Sequence, residues 1–91
     1  PVTYARAVTE GVSVERFGPD DGGAVYLAVH NAGDAREVSV TVQTDALALP
    51  ANLTLTEMVE DLKVTATAAE GEVTVTLTIP SASCRVLKLA P

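Results

Sequence analysis

Apolar and polar residues alternate with a period of two in several short runs of the chain, and this pattern predicts β-strands. The clearest run covers residues 73–79, where valine, leucine and isoleucine alternate with threonine at every position. Comparable runs are found at Val12–Phe17, 24–30, 37–43 and 84–89. Clusters rich in Gly, Asp and Asn at residues 18–23 and 31–36 predict turns between them.

The middle of the chain alternates less clearly. Residues 53–58 alternate, residues 62–67 do so loosely, and we predict a strand, a turn and a second strand there. Residues 56–62 also contain helix formers, but the run is too short for an independent helix. Residues 44–52 include Pro50, so we expect them to cross between sheets or to form a frayed edge strand.

About seven short strands at this spacing predict an all-β fold, an antiparallel two-sheet β-sandwich. In each strand one face is apolar and the other bears Thr, Ser or charged side chains, so two sheets would press their apolar faces together. We expect the sandwich to span residues 12–91 and residues 1–11 to be a connector from a preceding domain. The first residue is Pro1, with no leader pattern, which indicates a processed product or part of a longer protein.

The amino-acid composition also favours β-strands, and the charge argues against two classes of binding partner. Of 91 residues, 26 are Val, Thr or Ile, and branching at Cβ favours strands. The net charge of −6 and the lack of a Lys/Arg cluster argue against binding to nucleic acid or to an anionic membrane surface. No apolar run approaches the ~18 residues of a membrane span.

Patterns for catalysis and metal binding are weak. The single histidine, His30, is at a strand end, where a bond to its own turn is the simpler interpretation; one His and one Cys are too few ligands for zinc. Asp20 and Asp21 fall short of the six to eight oxygens that calcium needs, so we interpret them as turn residues. We therefore expect no catalytic residue, no metal and no cofactor.

Three further features have simple structural interpretations. Glu57, Glu60 and Asp61 are predicted to form a solvated acidic turn rather than the carboxylate pair of a glycosidase. Cys84 has no partner for an internal disulfide, and we expect a small buried residue with no His neighbour. Asn52 begins an Asn-Leu-Thr glycosylation pattern, which is frequent by chance.

The aromatic residues are few. Sugar-binding modules usually stack the sugar on Trp or Tyr, and this chain has no Trp. Tyr4, Phe17 and Tyr26 are its three aromatic residues, and we predict that they form a small patch. Burial of the patch against another domain is the favoured use, and sugar contact is the alternative.

Several segments resemble the C-terminal β-sandwich domain that follows a (β/α)₈ catalytic barrel in many glycoside hydrolases. The start of such a domain resembles Tyr4-Ala-Arg6, Val12-Ser-Val-Glu-Arg-Phe-Gly18 and Val25-Tyr-Leu-Ala-Val-His-Asn31. Its end resembles residues 55–59, 71–77 and 83–89. The similarity covers most of the chain but includes no catalytic motif.

The resemblance implies a non-catalytic accessory domain that packs against the preceding barrel of the same chain and stabilises it. Catalysis would belong to the barrel, and Tyr4, Phe17 and Tyr26 would be the interdomain or sugar-contact patch. One alternative is a carbohydrate-binding module with its ligand on a sheet face or at residues 18–23. Another is an immunoglobulin-like or fibronectin-like spacer, which the lack of a Trp disfavours. An independent enzyme is the least favoured interpretation.

Overall fold

A computed structural model describes residues 3–50, 53–61 and 64–91, which form eight β-strands and no helix. The strands are β1 (Ala5–Ala7), β2 (Val12–Phe17), β3 (Val25–Asn31), β4 (Arg36–Val42), β5 (Thr54–Glu57), β6 (Thr65–Ala69), β7 (Glu72–Ile79) and β8 (Ser83–Ala90). Two antiparallel sheets result, sheet 1 with the order β1-β4-β7-β6 and sheet 2 with the order β2-β3-β8-β5. The predicted all-β sandwich is confirmed. The described residues contain no helix that is long and apolar enough to cross a membrane.

The core lies between the two sheets and consists of the apolar residues that alternate along the central strands. The buried side chains of these strands are Val25, Leu27, Val29, Val38, Val40, Val42, Val75, Leu77, Ile79, Leu87 and Leu89. Full burial of one such side chain contributes about 1.5–3 kcal/mol. The core therefore provides the main force that holds the sheets together.

The strand register places like-facing residues in rows across each sheet. In sheet 1, β4 and β7 pair from Arg36 opposite Ile79 to Val42 opposite Val73. In sheet 2, β3 pairs with β8 along its whole length. Side chains alternate between the two faces of a strand, and paired residues share a face. This register therefore turns the buried residues of neighbouring strands toward the core.

Two elements differ from the sequence prediction. Residues 1–11 were expected to be a connector, but Ala5–Ala7 form a short strand that pairs with β4. β6 continues to Ala69, so the turn before β7 lies at Glu70 and Gly71 rather than at 68–71. The left-handed backbone of Gly71, with φ of +78°, fits that tight turn.

Other parts of the middle segment agree with the prediction. Residues 44–50 form turns that cross from β4 in sheet 1 toward β5 in sheet 2. A strand, a turn and a strand follow, and the turn at 58–60 does not become a helix. Asn52 and residues 62–63 lie outside the described residues.

Asn31, the last residue of β3, is completely buried and ties the two sheets together. Its Nδ2 donates hydrogen bonds to three main-chain carbonyls, those of Asp34, Ile79 and Pro80. Its Oδ1 accepts hydrogen bonds from the main-chain N–H of Gly33 and from Nε of Arg36. One side chain therefore fixes the β3–β4 turn against the end of β7.

Candidate functional site

The outer face of sheet 1 is polar, as predicted. Hydroxyl side chains stand opposite one another on β4 and β7, with Ser39 Oγ 3.0 Å from Thr76 Oγ1 and Thr41 Oγ1 3.1 Å from Thr74 Oγ1. The same rows continue on the exposed strand β6 at Thr65 and Thr67. This face satisfies many of its own hydroxyl groups and offers water a hydrophilic surface.

The outer face of sheet 2 has a different composition. Phe17 stands opposite Tyr26, and in the next row Ala28 stands opposite Val86. Met58 follows β5 and donates its main-chain N–H to the Val86 carbonyl at 2.8 Å. Together these five residues form what we call the outer apolar face. Phe17 is 53% exposed and Met58 is 51% exposed, so sheet 2 departs from the expected polar outer face at these positions, while Glu15, His30 and Lys88 on the same face agree with it.

The outer apolar face has one cation and one anion beside it. Lys88 Nζ lies 5.7 Å from the centre of the Tyr26 ring, a contact worth about 0.5–1 kcal/mol at an exposed site. Glu15 occupies the position opposite Ala28 on β2. An apolar centre with charges at its margin is the usual composition of a protein–protein interface.

The three predicted patch residues occupy two places. Phe17 and Tyr26 are direct cross-strand neighbours on the outer apolar face. Tyr4 precedes β1 on sheet 1, where its carbonyl accepts a hydrogen bond from the Gln43 N–H at 2.8 Å. The Arg16 guanidinium lies 5.9 Å from the centre of the Tyr4 ring. The structure thus brings two of the residues together and places the third across the seam between the sheets.

Glu57 is 1% exposed, so the predicted solvated turn is wrong for this residue and correct for the exposed Glu60 and Asp61. The Glu57 carboxylate accepts hydrogen bonds from the main-chain N–H groups of Val59 at 2.7 Å and Glu60 at 2.9 Å. The signal was present in the sequence, because Glu57 follows Leu55 by two residues and shares its inward-facing position. Its role is to fold the turn after β5.

Arg85 is a buried cation that the sequence prediction missed. Its side chain is 6% exposed, with Nη2 3.4 Å from Glu60 Oε2, and Nη1 donates to the Cys84 carbonyl. Nε has no hydrogen-bond partner in the described part of the chain. The ion pair links β8 to the turn that Glu57 folds, which indicates a structural role.

Cys84 is exposed, and the prediction of a buried thiol is wrong. The alternation along β8 turns Arg85 inward and Cys84 outward. Cys84 then stands opposite His30, which in turn stands opposite Ser13. The sequence did not show this histidine neighbour, because the pairing depends on the register of β3 and β8. Over the described ranges, no three His, Cys, Asp or Glu side chains are placed to hold a metal ion.

The loop between β2 and β3 is organised by Asp20. Its Oδ1 accepts hydrogen bonds from the N–H groups of Gly22 and Ala24, both at 2.9 Å. Gly18 has φ of +102°, and a Cβ at this position would lie 2.7 Å from the Ala24 carbonyl oxygen. The predicted turn role of Asp20 is therefore confirmed.

Two grooves are found at the margins of sheet 1. The first has a volume of about 270 Å³ and lies at the ends of β1, β4 and β7, with Tyr4, Arg6, Thr41, Gln43 and Glu72 among its walls. The second, of about 380 Å³, lies between the 44–50 crossing and the β6–β7 turn. The first groove combines an aromatic ring with charged and amide groups, so it is the better candidate for ligand recognition.

The chain matches no protein-family model, no curated protein and no solved structure. The two-sheet fold rests on the structure itself. The resemblance to the accessory domain of glycoside hydrolases remains a prediction.

Proposed function

We propose that this chain is a non-catalytic accessory β-sandwich of a glycoside hydrolase, which packs against the catalytic barrel of the same polypeptide and stabilises it. The observation that supports this proposal is the outer apolar face of sheet 2. The two sheets share one core, yet only sheet 2 presents an aromatic pair and a methionine to solvent. Contiguous exposed apolar surface of this kind marks an interaction site.

Covering the outer apolar face would give a favourable free energy. Burial of apolar surface contributes about 25 cal/mol per Å², so each 100 Å² covered contributes on the order of 2.5 kcal/mol. Phe17 and Met58 keep about half of their surfaces exposed, and so does Val59 next to Met58. Phe17 is on the edge strand β2 and Met58 follows the other edge strand, β5, so a partner that contacts both side chains would span the width of sheet 2.

The chain ahead of β1 runs beside the edge strand β2. The Thr3 carbonyl accepts a hydrogen bond from Arg16 Nε at 2.6 Å, and Arg16 is the neighbour of Phe17 on β2. Residue 3 therefore lies beside the end of β2, but it also lines the first groove on sheet 1, and Arg16 and Phe17 point to opposite sides of β2. A preceding domain that covers sheet 2 would need a connector that passes around the β2 edge of the sandwich, with each residue spanning up to about 3.5 Å.

The assignment to a glycoside hydrolase rests on the sequence resemblance. Its more specific segments are Val12-Ser-Val-Glu-Arg-Phe-Gly18 and Val25-Tyr-Leu-Ala-Val-His-Asn31, and they contain β2 and β3. These strands supply Phe17, Tyr26 and Ala28 to the outer apolar face. The residues that suggested the family are thus the residues that would contact the barrel.

The proposal can be tested with Phe17→Ser in this chain alone and in the longer polypeptide that includes the sequence encoded ahead of it. In the chain alone we expect a change of at most about 0.5 kcal/mol in the free energy of unfolding, because Phe17 is exposed. In the longer polypeptide we expect a loss of about 2 kcal/mol or more from the removal of a buried interface aromatic. Denaturant unfolding followed by circular dichroism measures both.

Val8→Ser is the matched control, since Val8 is 61% exposed and lies beside sheet 1. It should have a small effect in both proteins. Equal effects of Phe17→Ser in the two proteins would contradict the docking proposal.

The assignment to a glycoside hydrolase has a separate test. The longer polypeptide should hydrolyse a glycoside, and this chain alone should not. A longer polypeptide that is inactive on a broad set of glycosides would contradict the assignment.

A further inference from the structure

The first groove lies on the outer face of sheet 1, on the opposite side of the sandwich from the outer apolar face. Arg6 and Thr41 form a cross-strand pair there, and Gln43 and Glu72 lie one residue beyond the pair formed by Val42 and Val73. The groove has a volume of about 270 Å³. A ligand can therefore occupy the groove while a partner covers the outer apolar face.

The polar side chains of this groove are available to a ligand. Across residues 3–50, 53–61 and 64–91, the side chains of Arg6, Gln43 and Glu72 form no hydrogen bond or ion pair. Arg supplies donors only, an ionised Glu supplies acceptors only, and Gln supplies both. One positive and one negative charge offset each other, so the groove suits a neutral ligand whose groups both donate and accept hydrogen bonds.

Tyr4 gives the groove an aromatic surface that is fixed in advance. It is 37% exposed, its carbonyl bonds to the Gln43 N–H, and the Arg16 guanidinium lies close to its ring. Its φ of +57° places it in the left-handed region, which is uncommon for a tyrosine. A side chain held before the ligand arrives loses less conformational entropy on binding.

We propose that this groove binds a single neutral sugar residue. The C–H face of the sugar contacts the Tyr4 ring, and its hydroxyl groups exchange hydrogen bonds with Arg6, Gln43 and Glu72. Pockets for drug-sized molecules have volumes of about 300–1,000 Å³, so a groove just below this range fits one ring rather than an oligosaccharide. With one aromatic contact and a side open to water, we expect a dissociation constant on the order of 1 mM.

The binding test is an NMR titration of the ¹⁵N-labelled chain with the methyl glycosides of glucose, galactose, mannose and xylose, each added separately. We expect saturable shifts in the amides of residues 3–7, 41–43 and Glu72 with at least one of the four. Glycine is the zwitterionic comparison and should cause no shift there. No saturable shift in these amides with any of the four sugars overturns the proposal, and so does a response to glycine alone.

Substitutions assign the binding to the groove. Tyr4→Ala and Arg6→Met should each raise the dissociation constant by about tenfold or more. Tyr26→Ala makes the same truncation on sheet 2 and should leave the dissociation constant unchanged. Unshifted amides of the core residues Val38 and Val40 show that a variant is folded. If Tyr4→Ala does not fold, the result for Arg6→Met alone decides whether the groove binds the sugar.

Binding that survives both groove variants overturns the proposal, as does binding that is lost in Tyr26→Ala. The docking proposal is tested by Phe17→Ser in a different measurement. Failure of one proposal is therefore distinguishable from failure of the other.

Discussion

Asn31 shows how a single buried side chain holds the ends of two sheets. Its side-chain amide donates hydrogen bonds to three carbonyls and accepts two further hydrogen bonds, and the residue is completely buried from water. A buried polar group that loses its partner costs about 1–3 kcal/mol. The hydrogen-bond requirements of five groups are therefore linked to this one position.

For Asn31→Ala we expect the free energy of unfolding to fall by about 3 kcal/mol or more, because several of these groups would lose their partner together. Urea unfolding of the isolated chain measures the loss. Asn31→Asp retains the acceptor but removes the donor and places a negative charge against three carbonyl oxygens, so it should be no less damaging. A loss below about 1 kcal/mol in Asn31→Ala would contradict the assigned role.

At the scale of elements, the β2–β3 loop depends on glycine at one end and on Asp20 in the middle. Gly18→Ala should lower the free energy of unfolding by about 1–3 kcal/mol, because φ is +102° and the new Cβ would meet the Ala24 carbonyl oxygen. Gly22→Ala is the control from the same loop, since the nearest atom to its Cβ is Asp20 Oδ1 at 3.5 Å. Thermal and urea unfolding of the two variants test this; equal losses would contradict it.

Strands with strict alternation could be predicted from the sequence, and so could the inward direction of Glu57, but the full burial of charged residues could not. The apolar side chains of the central strands β3, β4 and β7 alternate and face the core, so their pattern directly reflects the fold. Glu57 and Arg85 also face inward, although charged residues are rarely buried. The turn at 58–60 makes this burial acceptable through its N–H groups and the Glu60 carboxylate, and a strand pattern does not encode these contacts.

The candidate surfaces depend on strand order and register, which alternation does not specify. The sequence placed Tyr4, Phe17 and Tyr26 in one patch. The antiparallel register of β2 and β3 makes neighbours of Phe17 and Tyr26. Tyr4 belongs instead to sheet 1, because the chain ahead of β2 pairs with β4. The strand topology therefore divides the predicted patch, with Phe17 and Tyr26 on the outer apolar face and Tyr4 at the first groove.

At the scale of the molecule, the sandwich has two unlike outer faces around one core. Sheet 1 presents paired hydroxyl groups and the Tyr4 groove to solvent, whereas sheet 2 presents the outer apolar face. This asymmetry is the physical basis for proposing a covered side and a free side. A thiol on sheet 2 can report whether that side is covered.

Cys84 is the only cysteine of the chain, and it is exposed on sheet 2 in the row next to Ala28 and Val86. The most direct test is the rate of its alkylation, followed by peptide mass spectrometry, in this chain and in the longer polypeptide. If the preceding domain covers sheet 2, alkylation should be slower in the longer polypeptide by on the order of tenfold, since a docked thiol reacts only after local opening. In urea the two rates should become equal. Equal rates under native conditions would contradict the account.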